Sequence, residues 1–413
     1  MRNFIFITLL FFPEVFFSLA AIFGRDYSGA EHSDIYIYST VATVLLSLFF
    51  VFGESTYKKV APISRANILF YSIPFLAIVF YLIESPLNAN GKQFFRLFFA
   101  FSASSIYVGT YMAANNYLIK IAKWIDVVFI VIMVGLISSL PRMVNLNEIV
   151  VGGLIYQQIS YNAAFAFSLG LYSLLFGNSY QRYKLFKSRF YKIMTSVSLF
   201  FIVLIIIISA GRGGSVLLIT STIVILLYRF KNIIGFKKNI RIITSLVILF
   251  YIFQFILPQE FIPLTKIGTE RLISYFSFGG IDMNDTSGRN IVYSVAWKMF
   301  IEQPIFGYGI FKYVSTFNLY IDDVIPYPHN IILEFLLQGG IFYLIFWLLI
   351  LWKYFLKFKI ILKHNSTNGL LIPISLLPIT LLLFSGTYLT TGLFWFSLSY
   401  VFNYKPSLAL RLS

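Results

Sequence analysis

Apolar stretches of membrane-spanning length repeat along most of the chain, separated by short polar segments. They cover Phe4–Phe23, Ile35–Phe52, Ala66–Ile83, Phe94–Met112, Trp124–Leu140 and Tyr161–Phe176. Further along come Ile193–Ala210, Ser215–Tyr228, Ile242–Leu257, Ile331–Trp352, Leu370–Phe384 and Tyr388–Phe402. The pattern predicts an all-α membrane protein of about twelve transmembrane helices. Pro13 and Glu14 interrupt the first stretch and no small-residue cleavage site follows cleanly, so it is read as a helix rather than a signal peptide.

The polar segments divide sharply by charge. With the N-terminus inside and loops alternating, the inner loops hold 22 basic residues against two acids, Glu54 and Asp126. The outer loops and helix ends hold the other 10 basic and 14 acidic residues. That asymmetry follows the positive-inside rule and places both termini in the cytoplasm. The formal net charge of +16 is therefore a topology signal. No single basic face exists that would suit a nucleic acid, so none is expected as a partner.

Composition agrees. Of 413 residues, 59% are apolar and 12% charged, about half the charged fraction of a soluble domain. The 47 Phe exclude a disordered chain, which would be poor in aromatics. With no cysteine, disulfides, thiolate metal sites and cysteine nucleophiles are all excluded.

One segment breaks the rhythm. Residues 258–329 contain no span and fall outside the membrane, between a nine-helix region (1–257) and a three-helix region (330–413). Loops of this length are usually functional. Within it, Asp285-Thr-Ser-Gly-Arg289 offers helix-capping residues, and Ile291-Val292, Val295-Ala296 and Met299-Phe300 follow at helical spacing until Pro304. This predicts an amphipathic helix on the outer membrane face.

Four places carry candidate chemistry. Arg212 lies within Ser209-Ala-Gly-Arg212-Gly-Gly-Ser215, 17 residues before Arg229. That is about 25 Å of helix, short of a full ~30 Å crossing, which puts Arg212 below the outer surface. An unpartnered guanidinium there costs about 3 kcal/mol. It can bind an anion, aided by neighbouring backbone N–H groups, or snorkel to lipid phosphates. Arg289 opens the amphipathic helix, where the helix dipole also favours an anion, or it is simply structural. His329 follows Pro326-Tyr-Pro328 at the outer mouth of the tenth span, as a site residue or a plain helix-end residue. Down that helix Asn330, Glu334 and Gln338 form a polar stripe, either a site or a satisfied helix contact. Asp26, Glu31, His32 and Asp34 in the first outer loop have a spacing that is not diagnostic of a divalent metal site and reads first as a solvated loop.

Three blocks together resemble the O-antigen polymerase and O-antigen ligase superfamily of polytopic bacterial membrane glycosyltransferases. The first is Ser209-Ala-Gly-Arg212-Gly-Gly. The second is Ser287-Gly-Arg289 followed by Trp297-Lys-Met-Phe-Ile-Glu-Gln-Pro304-Ile-Phe-Gly307-Tyr-Gly309. The third is His329-Asn330-Ile-Ile-Leu-Glu334 with Gly339-Gly340-Ile-Phe-Tyr343. They span about a third of the chain, Ser209 to Trp352.

The resemblance implies transfer of a glycan from undecaprenyl diphosphate to an acceptor hydroxyl at the outer face of the inner membrane, with no metal and no cofactor. It implies His329 as base and Arg212 and Arg289 as clamps on the departing diphosphate, because imidazole suits proton removal near neutral pH and guanidinium grips phosphate bidentately. Asn330 and Glu334 are expected near substrate. An O-antigen polymerase is the first expectation, with a chain-length regulator as protein partner. An O-antigen ligase acting on lipid A-core, or a capsule or exopolysaccharide polymerase, shares the same blocks. A polysaccharide-related transporter is the rival of another class. It would place its site near the bilayer midplane, often on two related halves, whereas the polar candidates here gather at the outer face.

Overall fold

The computed structural model describes residues 2–24, 34–58, 65–86, 89–143, 150–151, 154–209, 211–229, 289–320, 327–364 and 366–405. These are helical apart from short turns and a two-residue hairpin, Val150–Val151 paired with Leu154–Ile155. The helices are α1 (Arg2–Leu10), α2 (Phe12–Ile22), α3 (Asp34–Lys58), α4 (Arg65–Glu84), α5 (Ala89–Leu97), α6 (Ser104–Ala114), α7 (Tyr117–Ile121) and α8 (Ile125–Met143). There follow α9 (Tyr156–Phe176), α10 (Arg189–Ile208), α11 (Arg212–Arg229), α12 (Arg289–Glu302), α13 (Tyr313–Phe317), α14 (Ile331–His364), α15 (Leu371–Phe384) and α16 (Gly392–Asn403).

Six helices among the described residues are long and apolar enough to cross a membrane: Gly91–Ala114, Tyr117–Leu140, Gln157–Phe176, Arg189–Ile208, Ile331–His364 and Thr367–Phe384. Tyr38–Gly53, Ile68–Glu84 and Gly213–Arg229 are apolar but shorter. The chain is thus a multi-pass membrane protein, with six such spans, or seven counting α1 and α2 as one. The expected ninth span, Ile242–Leu257, the first outer loop at 25–33 and the first part of the long outer loop lie outside the described residues.

Where the hydrophobic pattern predicts one continuous first helix, α1 and α2 meet at a bend of 86°. Pro13 sits in the first turn of α2, the one place in a helix where its missing N–H costs nothing, so the chain restarts there rather than continuing. A second irregularity joins α5 to α6: a π-helical turn over Phe98–Ala103, pinned from outside by Ser102 Oγ donating to Leu389 O at 2.7 Å.

Close helix approach relies on small residues, as expected where lipid removes the hydrophobic drive between helices. A Cβ at Gly135 of α8 would lie 2.6 Å from Ser18 Cα of α2. At Gly109 of α6 it would collide with Ser399 Oγ of α16. The C-terminal helices therefore pack directly onto the N-terminal ones, with Phe165, Tyr172 and Tyr400 fully buried between them. Large apolar side chains such as Phe49, Phe75 and Phe190 remain exposed on the outside, the pattern of a surface that meets lipid.

One charged cluster is sealed inside. Arg182 donates through Nε to Asp126 Oδ2 at 2.9 Å and through Nη2 to Oδ1 at 2.6 Å. Ser173 Oγ and Tyr191 OH donate to the same Oδ1 at 2.6 and 3.0 Å. The two charged side chains are 2% and 0% exposed. Removing one partner leaves the other charge buried and uncompensated, so Arg182→Ala is expected to destabilise the fold by about 3–5 kcal/mol. Thermal unfolding of the detergent-purified protein measures this. The Arg182→Met, Asp126→Leu double variant is expected to recover most of the loss.

Candidate active site

The site begins at a break in a helix. Within α14, Gly339 (φ −143°, ψ 20°) and Gly340 (φ 64°, ψ −157°) leave helical geometry, the second in a region that only glycine enters readily. The break frees the carbonyls of Leu337 and Gln338. They accept from the N–H of Tyr308 at 2.7 Å and Gly309 at 2.8 Å, while Ile341 N–H donates to Pro304 O at 2.9 Å. A Cβ at Gly307, itself at φ +60°, would lie 2.6 Å from Leu337 O and Gly339 N. The Pro304–Gly309 segment and the Gly339-Gly340 break are therefore one structural piece, although about thirty residues separate them in the chain.

That piece is anchored from both sides. Glu84, the last residue of α4, accepts from the backbone N–H groups of Ile310, Phe311 and Lys312 at 2.7, 2.6 and 3.1 Å. On the other side Tyr320 and Tyr308 donate to Glu302 Oε2 at 2.7 and 3.0 Å. These hydroxyls hold the Glu302 carboxyl below its ordinary pKa, Tyr320 contributing most. Glu84 is a functional anchor that hydrophobic patterning hides: in the sequence it is one more acid at an outer helix end.

Helix α12 runs from Arg289 to Glu302. Val292, Ala296 and Met299 are fully buried, and the helix packs on α14. Its exposed side carries polar Ser294, Lys298 and Glu302 at helical spacing, interleaved with apolar groups. Ile291, Trp297 and Ile301 are more than half exposed, so the helix shows apolar groups both to the protein and away from it.

His329 and Asn330 sit where α14 begins. Asn330 caps the helix, its Oδ1 accepting from Ile332 N–H at 2.9 Å and Leu333 N–H at 3.3 Å, and its Nδ2 donates to Leu383 O at 3.4 Å. His329 adopts φ +51°, a left-handed backbone that is strained for a residue with a Cβ. Its Nδ1 lies 3.1 Å from Ser385 O, and Tyr327 OH donates to the same carbonyl at 2.9 Å. A carbonyl only accepts, so Nδ1 carries the proton in this contact and Nε2 is the basic nitrogen of the neutral ring. The ring packs 4.3 Å from that of Tyr327.

Glu334 lies one turn further down and is 1% exposed. Its Oε1 accepts from Tyr313 OH at 2.9 Å, Gln338 Nε2 at 3.3 Å and the hydroxyl of Thr387. Tyr388 OH donates in turn to Gln338 Oε1 and pairs with Tyr343 OH at 3.1 Å. Among the described residues Glu334 is thus held by hydroxyls and an amide, and neither a histidine nor an arginine is bonded to it. The stripe that hydropathy marks as unusual ties α13, α14 and the turn before α16 together.

Arg212 opens α11. The glycines around it pack against α9: Ser160 Oγ donates to Gly211 O at 2.9 Å, and a Cβ at Gly213 or Gly214 would collide with the Tyr161 hydroxyl or with Ser160. Their small size serves the helix contact first. The side chains of Arg212 and Arg289 lie outside the described residues, as do those of Asp26, Glu31, His32 and Asp34.

A cavity of about 600 Å³ opens beside His329. His329, Tyr327 and Ser385 line one part of it and Gln157 and Tyr161 of α9 another, with Ser385 Oγ donating to Gln157 Oε1 at 3.5 Å. Tyr161 is also the residue on which Gly213 rests. The backbone around Arg212 therefore abuts the wall of the chamber that His329 lines.

No curated protein and no solved structure matches the chain significantly. A family model does match, described as O-antigen ligase, over residues 197–348. That interval contains the Arg212, Arg289, His329 and Gly339-Gly340 positions. Residues 197–348 of this membrane protein are thus similar to the O-antigen ligase family, the stretch that carries the likeness to the O-antigen polymerase and ligase superfamily.

Proposed function

We propose that the protein is an O-antigen polymerase of the bacterial inner membrane, with both termini in the cytoplasm. It joins glycan repeat units carried on undecaprenyl diphosphate at the outer face. The observation that carries this reading is the His329 imidazole, on the wall of a cavity with Nδ1 committed to Ser385 O, inside the matched family domain.

In the proposed reaction a sugar hydroxyl of the acceptor repeat unit attacks the anomeric carbon of the donor glycan. The bond from that carbon to the diphosphate oxygen breaks, and undecaprenyl diphosphate leaves with the electron pair. His329 Nε2 takes the hydroxyl proton. Arg212 and Arg289 stabilise the charge that gathers on the diphosphate, which planar guanidinium groups do through paired N–H bonds. Asn330 and Glu334, expected from the sequence beside substrate, hold the frame: the first caps the helix behind His329, the second locks that helix to Tyr313 and Thr387.

A ligase would use the same groups with lipid A-core as acceptor, and the family model's own description favours keeping it as the second reading. A deletion strain separates the two on a lipopolysaccharide gel. A single repeat unit on lipid A-core is the expected pattern for a polymerase. Polymer stranded on the undecaprenyl carrier would assign the ligase instead.

A further inference from the structure

The bend between α1 and α2 delivers a carboxyl group into the cavity. Glu14 follows Pro13 in the first turn of α2 and lines the same chamber as His329. Its Oε2 is shut off from solvent and has no hydrogen-bond partner among the described residues. One turn of α9 away from Gln158, Asn162 also lines the chamber and its Oδ1 is buried and equally unpartnered. Buried polar atoms are nearly always bonded, so a pair of orphans facing one cavity points to a ligand that supplies the missing donors.

The lining defines that ligand's chemistry. The described residues around the chamber include amides, hydroxyls and aromatic rings but neither lysine nor arginine. A carboxyl there offers a diphosphate no positive partner. It accepts strongly from O–H groups, and its two oxygens match the spacing of neighbouring hydroxyls on one ring. The volume of about 600 Å³ lies within the range of small-molecule sites, roughly 300–1,000 Å³, and admits a short saccharide.

Resting on the glycan-transfer reading above, we propose that Glu14 binds hydroxyls of a neutral sugar of the acceptor glycan, so that the Glu14–Asn162 part of the cavity is the acceptor subsite, apart from the diphosphate. The bend at Pro13 is then what places this group opposite the imidazole, and a straight first helix would bury it elsewhere.

The test uses the full-length protein purified in detergent and, as probe, the diphosphate-free repeat-unit oligosaccharide of the host's own polysaccharide, prepared as its methyl glycoside. Wild type is expected to bind it, and Glu14→Ala to bind at least roughly tenfold more weakly, the usual loss for a hydrogen bond to a charged group. Glu14→Gln, nearly the same shape, keeps the fold and is expected to fall between. Unchanged affinity in both Glu14 variants would overturn the subsite, as would wild type failing to bind the probe. The enzyme reading fails by a different result: normal surface polysaccharide in the deletion strain.

Discussion

Replacing His329 by alanine is expected to abolish long-chain surface polysaccharide while leaving the protein inserted and folded. The imidazole is only partly buried, against Tyr327 and Ser385 O. Its removal also relieves nothing at the left-handed backbone, which alanine shares. What is lost is the base, and positioned proton transfer contributes about 10²–10⁴-fold to rate. His329→Gln makes a sharper control, because its amide can still donate to Ser385 O but cannot accept a proton at neutral pH. Both variants are expected to give the short-chain phenotype on a gel at normal membrane abundance. A full ladder of chain lengths in His329→Ala would remove His329 as the base.

Arginine replacements are expected to have the next largest effect, and to act on the leaving group. Arg289→Ala is expected to eliminate polymer. Arg212→Lys is the more discriminating change, since it keeps the charge and loses the planar fork that grips two phosphate oxygens at once. Loss of one well-placed donor to a developing negative charge costs about 10²–10³-fold in rate, so Arg212→Lys is expected to synthesise little polymer. The measurement is single-turnover chain extension by purified protein. Full activity in Arg212→Lys would argue against bidentate binding of the diphosphate. Because Gly211, Gly213 and Gly214 already press on Ser160 and Tyr161, changes to those glycines would disturb the α9–α11 contact and say nothing about phosphate.

Much of the architecture is legible in the linear chain because lipid simplifies the code. A spanning helix must be apolar over its length, so Gln157–Phe176 and Arg189–Ile208 stand out by hydropathy. Helix α12 over Arg289–Glu302 is readable from the helical spacing of Ile291-Val292, Val295-Ala296 and Met299-Phe300. Asn330 as a helix cap could be read from local sequence too.

The features that escaped are long-range. The 86° turn at Phe11 depends on what the restarted helix packs against, and Pro13 signals only that a break is affordable. Glu84 and the Pro304–Gly309 segment are 220 residues apart, and nothing local marks an acid at a helix end as the partner of three distant N–H groups. Gly339-Gly340 reads as a motif, while its meaning, freeing two carbonyls for Tyr308 and Gly309, needs both strands of backbone in view. Glu14 shows the same limit: as a sequence feature it is an interruption of a span, and only the fold puts it on the wall that His329 shares.

The most direct test of glycan transfer is stoichiometric. Purified protein, reconstituted in liposomes with the host's undecaprenyl-diphosphate-linked repeat unit, is assayed for both glycan length and free undecaprenyl diphosphate. One undecaprenyl diphosphate released for each glycosidic bond formed, by wild type and not by His329→Ala, is the expected result. Release without glycan growth, or equal growth in the His329→Ala protein, would contradict it.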